Sequence, residues 1–309
     1  MHDTLKGLYF FTRFAYPFSA LGYRQQRLFW KAKPNNFERQ RWLITGASGG
    51  IGRAIAEGAA AGGAGVDAAA RSEAKLSQLV EDAGENVIPR AADLSVTADV
   101  EALLDRLAKT HGATIDVLVN NVGVLLNEHR LSADGHEMSF ATNLLNHYAL
   151  TTGLIERDLL ADDAVIINMS SGGMYNVPLK IDQLNVLDSE HYDGVLAYAY
   201  QKRAQVVLNA WWRRRYADRH WRFYVMHPGW VDTEGVKTSL PAFRALFKHV
   251  LRDAEEGADT ALWLAGERPL QKDDDSIWFD RSEKSPHLGN STRRDSDNSE
   301  ALVEFLDSL

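Results

Sequence analysis

The chain has 309 residues, a net charge of −8 at pH 7 and no cysteine. This length suits a large α/β domain, and the acidic balance argues against nucleic acid as the main partner, because phosphate binding requires a basic surface. Without cysteine the chain has no disulfide framework, no cysteine-ligated zinc site and no thiol nucleophile. The 10 histidines show no metal-ligand spacing, so we predict no metal site.

The first 40 residues are rich in aromatic and basic side chains, and we predict that 1–40 forms an arm appended to the main domain. Its apolar stretch, 7–23, is interrupted by Arg13 and Pro17, whereas a membrane span requires about 20 apolar residues. One interpretation is that the arm packs on its own domain or on a partner subunit. The other is peripheral membrane contact through aromatic and basic side chains, namely Phe10, Phe11, Phe14, Phe18, Arg13, Arg24 and Arg27.

Short β-rich runs alternate with helical stretches from residue 41 onward. Seven of these runs are predicted strands: 41–45, 65–70, 86–89, 115–120, 164–169, 222–227 and 276–279. Such alternation implies right-handed βαβ crossovers and hence a doubly wound α/β fold, with about seven parallel strands and helices on both faces. We assign the main domain to 41–282 and a tail with a short helix to 283–309.

A glycine-rich turn follows the first strand and opens the first helix. Gly46, Gly50 and Gly52, within "TGASGGIG" (45–52), have the spacing Gly-x-x-x-Gly-x-Gly. Glycines permit a tight turn and let the backbone approach a pyrophosphate, which then lies at the positive end of the helix. The strand–turn–helix context predicts nucleotide binding rather than a purely structural turn.

This spacing, together with further motifs in the same order along the chain, resembles the short-chain dehydrogenase/reductase family. "DL" (93–94) follows the third strand, and "NNVG" (120–123) follows the fourth, with valine where the family usually has alanine. "MHPGWVDT" (226–233) resembles the segment that frames the nicotinamide. The resemblance implies a Rossmann-type fold and cofactor contacts from Thr45, Gly46, Ser48, Gly50, Ile51, Gly52, Asp93, Leu94, Asn120, Val122, Gly123, Pro228, Gly229, Val231 and Thr233.

The preference between NAD(H) and NADP(H) depends on the charge at the end of the second strand. An acidic residue there would bind the ribose 2′-hydroxyl and repel a 2′-phosphate. Ala70 occupies that place, Asp67 lies mid-strand, and Arg71 follows with a guanidinium suited to a 2′-phosphate. We therefore expect NADP(H) rather than NAD(H); a solvated surface role is the alternative for Arg71.

Two tyrosines, Tyr198 and Tyr200, lie near Lys202 in a predicted helix. A tyrosine can serve as acid/base near neutral pH only if its pKa of about 10 is lowered, which a nearby ammonium favours. Lys202 is four residues after Tyr198 but two after Tyr200, so helical spacing pairs it with Tyr198. We predict that Tyr198 is the catalytic acid/base and that Lys202 lowers its pKa and holds the ribose. Tyr200 is expected to turn away into packing with Ala204 and Val207.

The resemblance supplies two further catalytic residues. Ser171, in "NMSSGG", would orient the substrate oxygen, and Asn143 would hold a water in the proton relay behind the lysine. The adjacent Ser170 leaves the reversed assignment of the two serines open. A purely structural helix asparagine is the alternative for Asn143, since Asn146 follows three residues later.

Ser171 and Tyr198 are farther apart than in many family members. The extra stretch, 174–196, is polar and loop-like, and long loops beside a site usually shape it. Retinol-dehydrogenase-like members of the family show a similar lengthening. Segments such as "DGVLAYAYQKRAQVVL" most resemble the subgroup of the family that is called the member 12 type. The segment 234–258 is expected to be a substrate lid, with an apolar inner face formed by Phe243, Leu246, Phe247 and Val250.

The resemblance therefore implies an NADP(H)-dependent oxidoreductase that transfers a hydride between the nicotinamide and a carbonyl or alcohol carbon. The apolar lid and aromatic arm suggest a medium or large hydrophobic substrate, such as a retinoid, a steroid or a lipid aldehyde. A catalytically idle NADP(H)-binding sensor or scaffold is the alternative. We expect a cytoplasmic homodimer or homotetramer, with peripheral membrane contact as a further role for the arm.

Overall fold

The structure, a computed structural model, describes residues 11–31, 35–110, 114–289, 292–293 and 298–309. Its strands are β1 (Arg41–Thr45), β2 (Gly65–Ala70), β3 (Val87–Ala91), β4 (Ile115–Asn120), β5 (Leu160–Met169), β6 (Arg222–Met226), β7 (Ile277–Phe279) and β8 (Ser282–Lys284). Its helices are α1 (Ala20–Arg27), α2 (Gly50–Ala61), α3 (Glu73–Ala83), α4 (Thr97–Ala108), α5 (Asn146–Glu156), α6 (Gly194–Arg215), α7 (Glu234–Ser239), α8 (Pro241–Phe247), α9 (Ala254–Glu267) and α10 (Ser299–Asp307). Shorter turns lie at Met138–Phe140, Ala141–Leu145, Gly172–Asn176 and Ile181–Gln183.

All the strands belong to one sheet, in the order β3-β2-β1-β4-β5-β6-β7-β8. Neighbouring strands pair in parallel except at the β7–β8 edge. The chain winds outward from β1 through β2 to β3 and then returns to start β4 on the other side of β1. The doubly wound α/β prediction is confirmed, and the winding direction reverses between β1 and β4, where such sheets bind their ligands.

Apolar cores cover both faces of this sheet. Helices α4, α5, α6 and α10 pack on one face, and α2, α3 and α9 pack on the other. In β4, Leu118 enters the first core and Val117 the second, and Ile166 and Ile167 of β5 divide in the same way. The continuous apolar runs of the central strands follow from this two-sided burial.

The antiparallel strand β8 is absent from the sequence prediction. β7 turns into β8 through Asp280 and Arg281, whose φ angles are +48° and +56°. Two successive residues with positive φ form the type I′ turn of a tight hairpin, in which asparagine and glycine are the usual residues. An Asp-Arg pair carries no such indication, so the hairpin is not predictable from its turn.

A buried arginine, Arg252, joins the arm to the main fold. Its side chain is 2% exposed and lies 2.6 Å from the carboxylate of Asp280. It also donates hydrogen bonds to three backbone carbonyls, those of Pro17 (2.8 Å), Phe18 (3.1 Å) and Pro228 (3.3 Å). One guanidinium thus holds together the arm, the β7–β8 turn and the loop that follows β6.

Phe11, Phe14 and Phe18 of the arm contact other aromatic rings of the protein. Phe14 stacks on Phe18 and on Tyr175, with centroid separations of 4.4 and 4.7 Å. Phe11 stacks on Phe247, in the predicted lid, at 5.9 Å. Phe10 lies outside the described residues. Within those residues, no helix combines the length and apolar character that crossing a bilayer requires.

Replacing Arg252 by methionine should destabilise the fold strongly, because the Asp280 carboxylate would stay buried without its cation. Removal of one partner of a buried pair costs about 3–5 kcal/mol, and we expect urea titration to show a loss of this size in the free energy of unfolding. The control is R53M, because Arg53 forms partly exposed pairs with Glu57 and Asp82, whose loss should cost less than about 1 kcal/mol. Equal losses for the two variants would contradict this role of Arg252.

Candidate active site

A cleft of about 630 Å³ opens at the carboxyl ends of the central strands. Most of the cofactor-binding residues predicted from the sequence line it, namely Gly46, Ser48, Gly50, Ile51, Gly52, Arg71, Asp93, Leu94, Val122, Gly123, Tyr198, Lys202, Pro228 and Thr233. Residues from distant parts of the chain meet here because parallel strands bring their carboxyl ends to one edge of the sheet.

The glycine turn has the backbone geometry that its sequence predicts. Gly46 and Gly50 have φ angles of +67° and +54°, in the left-handed region that other residues rarely adopt. A Cβ at Gly46 would lie 2.9 Å from the Cα of Val122, and one at Gly52 would lie 2.3 Å from the carbonyl oxygen of Gly46. Helix α2 begins after Gly49 with no side-chain cap. Its first amide groups are therefore left for a ligand in the cleft.

Two of the predicted cofactor residues, Thr45 and Asn120, do not line the cleft. The Thr45 hydroxyl accepts hydrogen bonds from the backbone amides of Asn121 (2.9 Å) and Val122 (3.0 Å) and so joins β1 to the loop after β4. Asn120 is buried and bonds to side chains of α5 and β5. The residue that lines the cleft is Asn121, which the prediction missed. Because β4 ends at Asn120, the first residue beyond the strand was the better candidate.

Gly229 and Val231 also lie behind the cleft wall. Gly229 has φ +83°, and a Cβ there would lie 2.4 Å from the Nε atom of Arg252. Val231 is buried against Gly257, where a Cβ would lie 2.7 Å from a Val231 methyl. Both residues support the loop after β6 without lining the cleft.

The end of β2 presents positive charge to the cleft. Arg71, Ser72 and Lys75 line it, and Lys75, in the first turn of α3, was not predicted. Asp67 is buried within the sheet, 2.7 Å from Arg41 and 2.6 Å from Arg90. Its carboxylate is therefore neutralised by neighbouring strands.

Tyr198, Lys202 and Ser171 come together at the carboxyl end of β5. The Lys202 ammonium lies 5.4 Å from the centroid of the Tyr198 ring and donates a hydrogen bond to the carbonyl of Met169 at 2.8 Å. Ser171 is near enough to Tyr198 to counteract part of the effect of burial on the tyrosine pKa, but of the two serines only Ser170 lines the cleft. The Ser170 hydroxyl donates to the backbone carbonyl of Lys202 at 3.0 Å.

Tyr200 lies on a different side of helix α6 from this group. It is buried in the core that also contains Ala204 and Val207. Lys202 makes its aromatic contact with the Tyr198 ring. The two neighbouring tyrosines therefore have different surroundings, as expected for residues two positions apart on a helix.

Asn143 lies in a π-helical turn, Ala141–Leu145, and its side-chain amide is fully bonded within the protein. Nδ2 donates to the Val124 carbonyl and to the Gln201 side chain, and Oδ1 accepts from the Val124 amide, all at 2.8 Å. A Cβ at Gly123 would meet both Asn143 Oδ1 (3.3 Å) and Lys202 Nζ (3.5 Å). Asn143 is thus close to the lysine, and its role in a water relay stays a prediction.

Burial controls the protonation of this group. It lowers the pKa of Lys202 to about 7. It raises the pKa of Tyr198 to about 12, although the hydrogen bond with Ser171 acts in the opposite direction. The sequence-based expectation that Lys202 lowers the tyrosine pKa is therefore not met by the protein alone, because removal of water disfavours the charged form of both residues.

The predicted lid, 234–258, contains α7 and α8. Phe243 and Phe247 pack on Trp230, each at 5.0 Å between centroids. Leu246 is 75% exposed, so its predicted place on the inner face is wrong. The Arg244 side chain pairs with Asp232 at 2.7 Å and holds the lid to the loop after β6.

Replacing Lys202 by methionine should stabilise the protein at low pH. Because the pKa of Lys202 falls from 10.5 to about 7 on folding, the unfolded chain binds more protons between these pH values, and the wild type gains stability as the pH rises through this range. We expect K202M to raise the free energy of unfolding by about 1–2 kcal/mol at pH 6, with a smaller advantage at pH 9. K180M, which changes an exposed lysine, should have little effect at either pH. A destabilised K202M at pH 6 would contradict the burial argument.

Comparisons with known proteins agree with this geometry. A sequence model of the short chain dehydrogenase family matches residues 40–181. Dehydrogenase/reductase SDR family member 12 of Bos taurus is 36% identical over 279 residues, which cover 87% of this chain and 85% of that protein. Retinol dehydrogenase 12 of Homo sapiens is 31% identical over 230 residues, which cover 72% of each chain. These similarities confirm the predicted resemblance.

A solved structure shows the same fold. The crystal structure of an uncharacterized protein from Mycobacterium Paratuberculosis superposes with a TM-score of 0.71 and 27% identity, covering 90% of this chain and 96% of that one. Fold, cleft and sequence similarity lead to one conclusion. The chain belongs to the short-chain dehydrogenase/reductase family and is an NAD(P)-dependent oxidoreductase of alcohols and carbonyls.

Proposed function

We propose that the protein reduces a hydrophobic aldehyde or ketone with NADPH, or oxidises the corresponding alcohol with NADP⁺. The observation that carries this proposal is the group at the end of β5. The Tyr198 ring centroid lies 5.4 Å from the Lys202 ammonium, and Ser171 is a neighbour of Tyr198. Tyr198 and Lys202 line the same cleft as the glycine turn. An idle sensor would have no need of this arrangement.

The residues of the cleft fit a dinucleotide. The uncapped start of α2 and the glycine turn suit a pyrophosphate, since backbone amides there have no side-chain partner. Lys202 is a buried ammonium bonded to a single carbonyl, so it has donors left for ribose hydroxyls. Asp93, Leu94 and Val122 would contact the adenine side, and Pro228 and Thr233 the nicotinamide side. When bound, the cofactor supplies or accepts the hydride.

The preference for NADP(H) rests on the charge at the end of β2. Arg71 and Lys75 face the cleft, and Ala70 stands where a carboxylate would exclude a 2′-phosphate. Asp67 cannot take that role because Arg41 and Arg90 hold it inside the sheet. The guanidinium and the ammonium suit a doubly charged phosphate.

Tyr198, Ser171 and Lys202 would together carry out proton transfer. The Ser171 hydroxyl would donate a hydrogen bond to the substrate oxygen and orient it. The Tyr198 hydroxyl would give that oxygen its proton during reduction and remove it during oxidation. Lys202, when protonated, would favour the phenolate and so bring the tyrosine pKa down from its buried value. Asn143 would hold the loop at 123–124 against this group through its two bonds to Val124.

An aromatic wall supports the hydrophobic substrate class. Trp230, Phe243 and Phe247 pack together beside the loop that follows β6, and Phe11 of the arm stacks on Phe247. Lid and arm thus form one apolar cluster on the loop after β6, the loop that contributes Pro228 and Thr233 to the cleft. The retinol dehydrogenase named among the relatives acts on a molecule of this type, and we extend that class to this protein as a proposal.

The same proposal includes a homo-oligomer and peripheral membrane contact by the arm. Of the phenylalanines that suggested this contact, Phe18 is buried and Phe11 is 39% exposed, whereas Leu28 and Phe29, which follow α1, are 81% and 79% exposed. Arg27 precedes them in the chain. An exposed apolar pair next to a cation suits a lipid surface better than the buried Phe18 ring does.

Tyr198→Phe should abolish turnover while leaving the fold intact. Loss of a general acid costs about 10²- to 10⁴-fold in rate, and we expect kcat/KM to fall within this range. The measurement is NADPH oxidation over a series of carbonyls graded from small and polar to large and apolar, on which the wild type should favour the large apolar members. Tyr200→Phe is the matched control, because it removes the same hydroxyl two residues away and should leave the rate within about threefold.

Two outcomes of this assay would contradict the proposal. Equal rates for Tyr198→Phe and the wild type would show that Tyr198 is not the acid/base. Tight NADPH binding by the wild type with no turnover of any carbonyl would favour the sensor.

Arg71→Ala should weaken NADPH binding selectively. Loss of a charge-assisted contact to the 2′-phosphate removes about 1.5–3 kcal/mol, so we expect the Kd for NADPH to rise about 10- to 100-fold, while the Kd for NADH changes little. Fluorescence titration measures both constants. Arg53→Ala is the control, since Arg53 pairs with Glu57 and Asp82 outside the cleft lining. Tighter binding of NADH than NADPH by the wild type would show that the cofactor preference is wrong.

A further inference from the structure

Glu137 is a buried carboxylate held by hydrogen bonds instead of a cation. It is 0% exposed and, within the described residues, forms no ion pair. Five donors surround it: the backbone amides of Ser139 (2.9 Å) and Phe140 (2.7 Å), the hydroxyls of Ser139 (2.6 Å) and Tyr192 (3.0 Å), and the Gln201 amide (3.0 Å). Because each of these neighbours donates, the carboxylate acts as an acceptor, and the hydrogen bonds compensate its burial.

The carboxylate sets the direction of a chain of side-chain amides. An ionised carboxylate can only accept, so Gln201 must turn its NH₂ group toward Glu137. The Gln201 oxygen then accepts from Asn143 Nδ2 at 2.8 Å. With its NH₂ group so engaged, Asn143 turns Oδ1 to the Val124 amide, also at 2.8 Å. Glu137 thereby fixes the orientation of the Gln201 amide, and Gln201 together with the backbone N–H and carbonyl of Val124 fixes that of Asn143.

This chain ends beside the reacting groups. Gln201 precedes Lys202 on α6, and Val124 lines the cleft. A Cβ added at Gly123 would lie 3.3 Å from Asn143 Oδ1 and 3.5 Å from Lys202 Nζ, so both side chains are neighbours of this glycine. The orientation of Asn143 therefore decides where the loop at 123–124 lies relative to the lysine.

A second branch joins Glu137 to the long stretch between Ser171 and Tyr198. The Tyr192 hydroxyl bonds to the carboxylate, and the backbone amide of Glu137 donates to the Asn185 side chain at 2.9 Å. Burial, and secondarily the charge of Glu137, raise the pKa of Tyr192 to about 12, so its hydroxyl stays protonated and donates. The same hydroxyl lies 3.2 Å from the carbonyl of Leu126 in the cleft wall.

We propose that Glu137 is a positioning residue with two separable effects. Through Gln201 it orients Asn143 and the loop that carries Val124, and through Tyr192 it fixes the 174–193 segment beside the cleft. The effects on turnover rest on the proposed function, whereas the orientation of the amides does not. Glu137 does not line the cleft and forms no hydrogen bond with Asn143, Ser171, Tyr198 or Lys202, so its effect on them passes through Gln201 and Tyr192.

The test compares variants that cut each branch. Glu137→Gln places an amide where all five neighbours donate. Gln201→Leu removes the link between Glu137 and Asn143, together with the 3.1 Å bond to the Ser139 hydroxyl, and keeps the carboxylate with its four other donors. Each should lower kcat about 10- to 100-fold, the range expected for buried groups left unpaired, and should change the Kd for NADPH less than kcat, because the glycine turn is untouched. Tyr192→Phe should instead raise KM for large carbonyls and leave kcat within about threefold. Glu101→Gln, at an exposed carboxylate paired with Arg157, is the control for loss of a charge.

Amide hydrogen exchange supplies a readout independent of catalysis. Exchange over 123–127 should accelerate in Glu137→Gln and in Gln201→Leu, and exchange over 185–193 should accelerate in Glu137→Gln and in Tyr192→Phe. If Glu137 merely caps the turn at Met138–Phe140, Gln201→Leu will leave both kcat and exchange over 123–127 unchanged, and the proposal fails. If the wild type reduces no carbonyl, the proposed function fails, and the exchange pattern still decides the role of Glu137. Since Gln201→Leu keeps the carboxylate and its other donors, it tests the link even if Glu137→Gln does not fold.

Discussion

The site depends on the burial of a charge that has almost no compensation. Lys202 lies inside the protein with one carbonyl as its hydrogen-bond partner and the Tyr198 ring as its aromatic neighbour. Other buried charges of the described chain have more ion-pair or hydrogen-bond partners. Asp67 has two arginines, and Arg252 has a carboxylate and three carbonyls. An under-compensated charge in a cleft is what a functional group requires and what stability alone would not select.

The rest of the fold holds this pair in place. Parallel strands bring the glycine turn, the loop after β4 and the end of β5 to one edge of the sheet. In helix α6, Lys202 lies one turn after Tyr198, and Tyr200 is buried in the core. Arg252 connects the arm and the β7–β8 turn to the loop after β6. The arm, the lid and this loop therefore pack together as one unit. Hydrophobic burial stabilises the frame, and hydrogen bonds set the positions within it.

Local patterns were sufficient for much of this account. The glycine spacing predicted the turn, and the i, i+4 spacing distinguished the two tyrosines, because both depend on the geometry of one helix or one turn. Features that depend on neighbours distant in the chain were missed. Asn121 rather than Asn120 lines the cleft, Leu246 faces solvent, and the Glu137 network joins residues more than 60 positions apart in the sequence, as the contact from Gln201 shows. The direction of the Tyr198 pKa was missed for a related reason, since spacing reveals the lysine but not the loss of water around both groups.

The central claim is that the protein holds Tyr198 protonated and that the bound cofactor makes it an effective acid/base. The most direct test is the near-ultraviolet absorbance of tyrosinate, measured as the difference between the wild type and Tyr198→Phe during pH titration. Without cofactor, Tyr198 should titrate with a pKa of about 12, and saturation with NADP⁺ should move that pKa by several units toward neutrality, because the cationic nicotinamide favours the phenolate. An unchanged high pKa in the presence of NADP⁺ would contradict the account.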